Sequence, residues 1–111
     1  MNSLKKCPLV SIVVLNWNRL EDTKLCIDSI RKLDYPNFEI IIVDNGSEDG
    51  SKEYLSKLDN IIFINNLTNR GFTGGHIDGL NRCSGEFLVL LNNDALIDKD
   101  YLSEHHCLEE L

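Results

Sequence analysis

Four short runs of β-branched and apolar residues constrain this chain more than anything else in it: 10-VSIVVLNW-17, 38-FEIIIVD-44, 61-IIFIN-65 and 87-FLVLLN-92. Each has strand length, and each is nearly continuous in hydrophobicity instead of alternating, the pattern of strands covered on both faces. Helix-like stretches separate them. In residues 21–33, Thr23, Cys26, Ile27, Ile30 and Leu33 recur at three- and four-residue spacing, and Tyr35-Pro36 ends the pattern. Residues 47–58 follow, with Ser47 or Ser51 as N-cap and Tyr54, Leu55 and Leu58 facing inward. A weaker helix covers residues 74–83, where Gly79 counts against it, and a last one runs from about Asp98 to Leu111. Strict alternation of strand and helix predicts a three-layer α/β/α, Rossmann-like fold with a mostly parallel sheet and right-handed crossovers.

The totals narrow the function classes. At 111 residues the chain is expected to be a single domain spanning 1–111, long enough to bury a core. A formal net charge of −7 argues against a nucleic-acid backbone as partner, which selects for basic surfaces. No apolar run approaches the ~20 residues that span a bilayer, and the basic N-terminus leads into a strand without a small-residue cleavage site. Cys7, Cys26, Cys83 and Cys107 form no C-x-x-C pair, so the expectation is four reduced thiols in a cytoplasmic protein.

In an open parallel sheet the ligand crevice lies beyond the carboxyl ends of the strands. The residues at those ends are polar in all four cases: Asn16-Trp17-Asn18-Arg19, Asp44-Asn45-Gly46-Ser47, Asn69-Arg70-Gly71 and Asn92-Asn93-Asp94. Any one of them reads equally as a turn, since Asn, Asp and Gly dominate turns for conformational reasons. Asp44 is either part of a tight turn and helix cap or an acceptor for a ring N–H of a base, with the amides of Gly46 and Ser47 nearby. The loop 70-RGFTGG-75 matches neither the dinucleotide nor the Walker glycine pattern, and leaves Arg70 as a cation able to meet a phosphate. Asn92-Asn93-Asp94 is either a strand-ending Asx turn or a hard-cation site, in which one carboxylate shares magnesium or manganese with substrate phosphates. His105 and His106, adjacent on a helical stretch, point about 100° apart and read as surface imidazoles.

Taken in order, 11-SIVVLNWNR-19, 40-IIIVDNGSEDGS-51, 69-NRGFTGG-75 and 85-GEFLVLLNNDALI-97 resemble the N-terminal half of family 2 glycosyltransferases of the GT-A fold, in particular the rhamnosyltransferase-like subgroup. The resemblance runs from about Val10 to Tyr101. It implies transfer of a sugar from a UDP- or dTDP-linked donor to a saccharide or lipid-linked acceptor, with inversion and with a divalent metal, Mg or Mn. It further implies that Leu15 and Asn16 lie against the base, that Asp44 accepts from the pyrimidine ring, and that Asn18, Asn45, Gly46, Arg70, Gly74 and Gly75 belong to the nucleotide-sugar site. By the same resemblance Asn92 faces the ribose, Asn93 belongs to the same nucleotide-sugar site, and Asp94 binds the metal that bridges the diphosphate, in a D-x-D-like triplet. Family members carry the catalytic base in a C-terminal half, and none of Asp98, Asp100, Glu104, Glu109 or Glu110 sits in a recognisable base motif.

The chain departs from the family pattern at His76-Ile77-Asp78, where asparagines are usual, and an Asp near a diphosphate would repel it. The expectation is a fragment, truncated after the metal-binding strand, that binds donor weakly, transfers nothing alone, and is prone to self-association through uncovered apolar surface. The full-length protein is expected in the cytoplasm, peripheral at the membrane. The competing readings are a nucleotidyltransferase, which would show a glycine-rich loop where 16-NWNRLED-22 has none, and a non-catalytic α/β interaction module.

Overall fold

The computed structural model describes residues 7–102. Strands and helices alternate as β1 (Val10–Asn16), α1 (Leu20–Arg31), β2 (Phe38–Asn45), α2 (Ser51–Leu55), β3 (Ile62–Asn66), α3 (Gly71–Leu80) and β4 (Phe87–Asn92). The strands form one sheet in the order β3-β2-β1-β4, and each neighbouring pair is parallel. The α/β class expected from the alternation is therefore the architecture observed. Its strand order fixes the helix layers: right-handed crossovers from β1 to β2 to β3 put α1 and α2 on one face, and the reversal to β4 puts α3 on the other.

The two faces are unequal. On one, Val10, Ile12 and Val14 of β1 and Ile40 and Ile42 of β2 pack with Cys26, Ile27 and Ile30 of α1 and Leu55 of α2. The other face holds Val13, Ile41 and Val43, flanked by Leu15, Ile62, Ile64 and Cys83. Since successive strand residues point to opposite faces, a strand serving both cores must be apolar throughout, which is why β1 and β2 show no alternation. Helix α3 approaches this second face through glycine. A Cβ on Gly79 would stand 2.6 Å from Val13 Cγ1, and one on Gly75 only 2.5 Å from Leu15 Cδ1. Gly79, which weakened the helix in the sequence, is what allows the helix to sit on the sheet, and α3 begins at Gly71 instead of residue 74.

Helix α1 buries Thr23, Cys26, Ile27 and Ile30, the face its spacing predicts. Other expectations need correction. Helix α2 covers only Ser51–Leu55, and its first N–H, that of Ser51, donates to Asp49 Oδ1 at 3.1 Å, so neither Ser47 nor Ser51 acts as the cap. Tyr54 is 40% exposed instead of inward, with Lys24 Nζ 4.5 Å from its ring centroid. Strand β4 is an edge whose Phe87, Leu88 and Leu90 are each nearly half exposed; apolar continuity reports what a strand can bury and not what covers it. Cys7 is disulfide-bonded while Cys26 and Cys83 are free thiols, so four reduced cysteines is wrong at Cys7. The last expected helix is helical at Tyr101 and Leu102; Glu104, His105, His106, Glu109 and Glu110 lie outside the described residues. No helix among the described residues is long and apolar enough to cross a membrane.

Candidate functional site

The strand register brings the polar ends together. Asn16 stands opposite Asp44, Asp44 opposite Asn65, and Leu15 opposite Asn92. All four carboxyl ends therefore form one rim, with the tips of β2 and β4 two strand spacings apart, about 10 Å. The direction of winding reverses between β1 and β4, and at such a switch point the diverging connections leave a crevice above the sheet. The residues on either side of it are Asn16-Trp17-Asn18 and Asn92-Asn93-Asp94.

At the β1 and β2 tips the polar groups satisfy one another. Asn16 and Asp44 are both 0% exposed. The Asn16 amide donates from Nδ2 to Asp44 Oδ1 at 2.8 Å and to Ser47 Oγ at 3.3 Å, while its Oδ1 accepts from the Thr23 hydroxyl at 2.6 Å. The second oxygen of Asp44 accepts the Ser47 N–H at 2.9 Å. A buried carboxylate is tolerated only when donors of this kind surround it.

Asn45 and Asn18 extend the scaffold outward. The Asn45 amide donates to Asn69 Oδ1 and the Gly71 carbonyl, and its Oδ1 accepts from the Arg70 N–H and from Asn66 Nδ2. Both donors and both lone pairs of this side chain are thus in use, and Asn45 ties β2 to the β3–α3 loop. Asn18 sits at φ 52, a left-handed conformation Asn tolerates. Its N–H donates to Ser47 Oγ and its Oδ1 accepts from the Glu48 N–H, clamping the loops after β1 and β2 together. Gly46 has φ 82, and a Cβ there would lie 2.8 Å from backbone atoms of Thr68 and Asn69. The Asp49 carboxylate also accepts the first N–H of α1, from Leu20, at 3.2 Å.

The β4 tip is arranged differently. Asn92 and Asp94 are exposed and Asn93 between them is half-buried. Asn93 Nδ2 donates to Thr23 Oγ1 at 3.1 Å, and the Ala95 N–H donates to the Asn92 carbonyl, closing the turn. Asp94 makes no hydrogen bond or ion pair among the described residues. Burial, helped by the charge of Asp94, pushes the Cys26 thiol up to about 11, so this thiol beneath the tip is un-ionised at neutral pH. Among the described residues no group of three or more His, Cys, Asp and Glu side chains could hold a metal ion. A free, exposed carboxylate such as that of Asp94 has the chemistry of a hard-cation ligand when the remaining ligands come from a diphosphate and water.

Arg70 and Asp78 solve each other's problem. Arg70 Nε lies 2.6 Å from Asp78 Oδ2, which also accepts from Asn66 Nδ2. Asp78 is thus the counterion of Arg70 and not a bare charge facing a diphosphate. Gly74 lies against Arg70 Cβ, whereas Gly75 is buried against Leu15 and Asn45, so its role is close packing of α3. Two rim residues escape a motif reading. Trp17 is 51% exposed beside Asn16, where an aromatic face can stack on a planar base, and Thr23 looked like an ordinary core position of a helix. A groove of about 630 Å³ lined by Leu25, Asp28, Ser29, Lys32 and residues 96–99 lies beside α1, and no rim residue lines it.

Comparison with known proteins agrees with this geometry. The family model for glycosyl transferase family 2 matches residues 11–105. The putative glycosyltransferase EpsH of Bacillus subtilis is 32% identical over 100 residues, which cover 87% of this chain and 29% of that protein. GalNAc(5)-diNAcBac-PP-undecaprenol beta-1,3-glucosyltransferase of Campylobacter jejuni is 35% identical over 92 residues, covering 78% and 30%. Among solved structures, the mannosyltransferase PcManGT of Pyrobaculum calidifontis, in complex with GDP-Man and Mn2+, superposes with a TM-score of 0.79 at 25% identity, covering 88% of this chain and 31% of that one. The chain spans about 30% of the length of these relatives. With the family model matched across nearly all of its described residues, this chain belongs to glycosyl transferase family 2.

Proposed function

We propose that this chain is the donor-binding half of an inverting, metal-dependent glycosyltransferase. The observation that carries the reading is the rim itself: the ends of β1, β2 and β4 lie side by side in register, with an enclosed carboxylate at one end and a free, exposed one at the other. PcManGT, similar over most of this chain, holds a nucleotide-sugar together with Mn2+. In our reading Leu15, Asn16, Trp17 and Asn18 form the base wall. A ring N–H that reaches Asp44 replaces one of its two internal donors.

Asn45 and Gly46 hold the loop that carries Arg70, and Gly75 seats α3 beside it. Asn92 and Asn93 border the ribose and diphosphate, and Asp94 is the protein ligand of Mg or Mn. A bound divalent ion supplies charge stabilisation for the departing diphosphate. The guanidinium of Arg70, paired with Asp78 through Nε and half exposed, is the cation of the β3–α3 loop and in this reading donates to a phosphate oxygen. Asn92 at the head of the triplet is what supports the rhamnosyltransferase-like subgroup in this reading. The acceptor, saccharide or lipid-linked, and the general base belong to sequence that these residues do not supply.

Isothermal titration of UDP, dTDP and GDP, each with and without Mn2+, tests the proposal. One diphosphate binds, and Mn2+ tightens it by at least about tenfold, the size of a 1.4 kcal/mol contact. Asp94→Ala removes the metal effect. Absence of binding to all three, with metal present, overturns the reading in favour of a non-catalytic module. Residues 1–111 alone transfer no sugar, and turnover by them would refute the assignment of a half-site.

A further inference from the structure

Thr23 belongs to no motif, yet it joins the two halves of the rim. It is 0% exposed on α1, seven residues from Asn16 and seventy from Asn93 in sequence. Its hydroxyl accepts from Asn93 Nδ2 at 3.1 Å and donates to Asn16 Oδ1 at 2.6 Å. Asn16 Nδ2 in turn donates to Asp44 Oδ1. Every donor in this chain points the same way, from the β4 tip through α1 and β1 to the carboxylate on β2. Hydrogen bonds aligned head to tail polarise one another, so each link is stronger than it would be alone.

The link also anchors the turn that carries Asp94. Asn93 is drawn inward to Thr23, while its neighbours Asn92 and Asp94 are exposed. The pin at Asn93 therefore ties the turn that carries Asp94 to α1. The link itself requires a side chain that both donates and accepts, as the Thr23 hydroxyl does. We infer that Thr23 is a positioning residue that couples the metal end of the site to the base end, so that a divalent ion at Asp94 and a nucleoside diphosphate at Asn16 and Asp44 bind cooperatively through it. This rests on the donor-site reading above and extends it to a residue that touches neither ligand.

The test uses Thr23→Val, which keeps the shape and loses the hydroxyl, and Thr23→Ser, which keeps the hydroxyl. The probes are the diphosphate that wild type binds and Mn2+, with folding checked by circular dichroism. Thr23→Val binds the diphosphate without metal within about threefold of wild type, while the Mn2+ enhancement falls by about tenfold. Thr23→Ser restores the enhancement. In a cycle with Asn93→Ala, the double variant loses no more enhancement than either single one. Equal weakening with and without Mn2+, an unchanged enhancement in Thr23→Val, or failure of Thr23→Ser to restore it overturns the coupling role. In those three outcomes wild type still binds in a metal-dependent way and the donor-site reading stands. Wild type that binds no diphosphate overturns both.

Discussion

The rim has a closed half and an open half. At the ends of β1 and β2, Asn16, Asp44, Asn45 and Ser47 are buried, and each is satisfied by the others or by neighbouring backbone. Beyond β4, Asn92 and Asp94 are exposed, and Asp94 has no hydrogen-bonding partner among the described residues. The same residue types thus do opposite work within about 10 Å, two strand spacings. Where Asp is enclosed it is part of the fold, and removing it strands its donors; where it is free it costs the fold nothing and remains available to a ligand. Stability and binding should therefore separate between the halves.

The sharpest way to break this comparison is Asp44→Asn. The new amide faces either Asn16 Nδ2 or the Ser47 N–H, donor against donor, and an unsatisfied contact at a 0% exposed site costs about 3 kcal/mol. Urea unfolding reads the loss as a lower midpoint at unchanged slope. A cost below about 0.5 kcal/mol would mean the closed half is not structural. Gly46→Ala tests the same half through the backbone. Its φ of 82 disfavours a side chain, and the Thr68 and Asn69 backbone atoms 2.8 Å away cannot move aside cheaply, so about 2 kcal/mol of stability should disappear in the same measurement.

Asp49 lies between the extremes, exposed but bonded. Burial raises its pKa, and hydrogen bonds from the Ser51 hydroxyl and from the Leu20 and Ser51 N–H groups outweigh that, leaving it below the ordinary 3.8. A lowered folded-state pKa makes its stabilisation complete above the unfolded value and lost as pH falls through the folded one. Asp49→Ala should cost about 1 kcal/mol at neutral pH, since the Leu20 and Ser51 N–H groups lose their acceptor. The gap from wild type should narrow in unfolding curves taken below pH 3.8, and a gap constant with pH would show that the carboxylate charge is irrelevant. Asp94→Ala completes the series, with unfolding unchanged within about 0.5 kcal/mol while the Mn2+ effect on diphosphate binding vanishes. A destabilised Asp94→Ala protein would show that the open half is structural as well.

Much of this was legible in the residues. The unbroken apolar runs of β1 and β2, the spacing of Thr23, Cys26, Ile27 and Ile30, and polar residues after every strand led to a parallel α/β sheet with one functional rim. The misreadings share a cause. The sequence favours an inward Tyr54 and a β4 covered on both sides because hydrophobicity states a preference and not the presence of a neighbour. Ser47 and Ser51 were read as caps because the local pattern could not show that Asp44 and Asn16 claim Ser47 or that Asp49 serves both α1 and α2. Gly79 was counted against a helix because its benefit lies in Val13 and Val43, more than thirty residues away.

By itself the sequence determined the order of elements, the class of the sheet, and the placing of Asn16, Asp44, Arg70 and Asp94 at strand ends or in the loops that follow them, because periodicity and turn chemistry act between residues a few positions apart. Only the tertiary structure decided which of those polar groups are enclosed and which are free, that Arg70 answers to Asp78, and that Thr23 bridges Asn16 and Asn93. Those outcomes depend on hydrogen bonds between groups distant in the chain, and such partners exist only once the sheet has set its register.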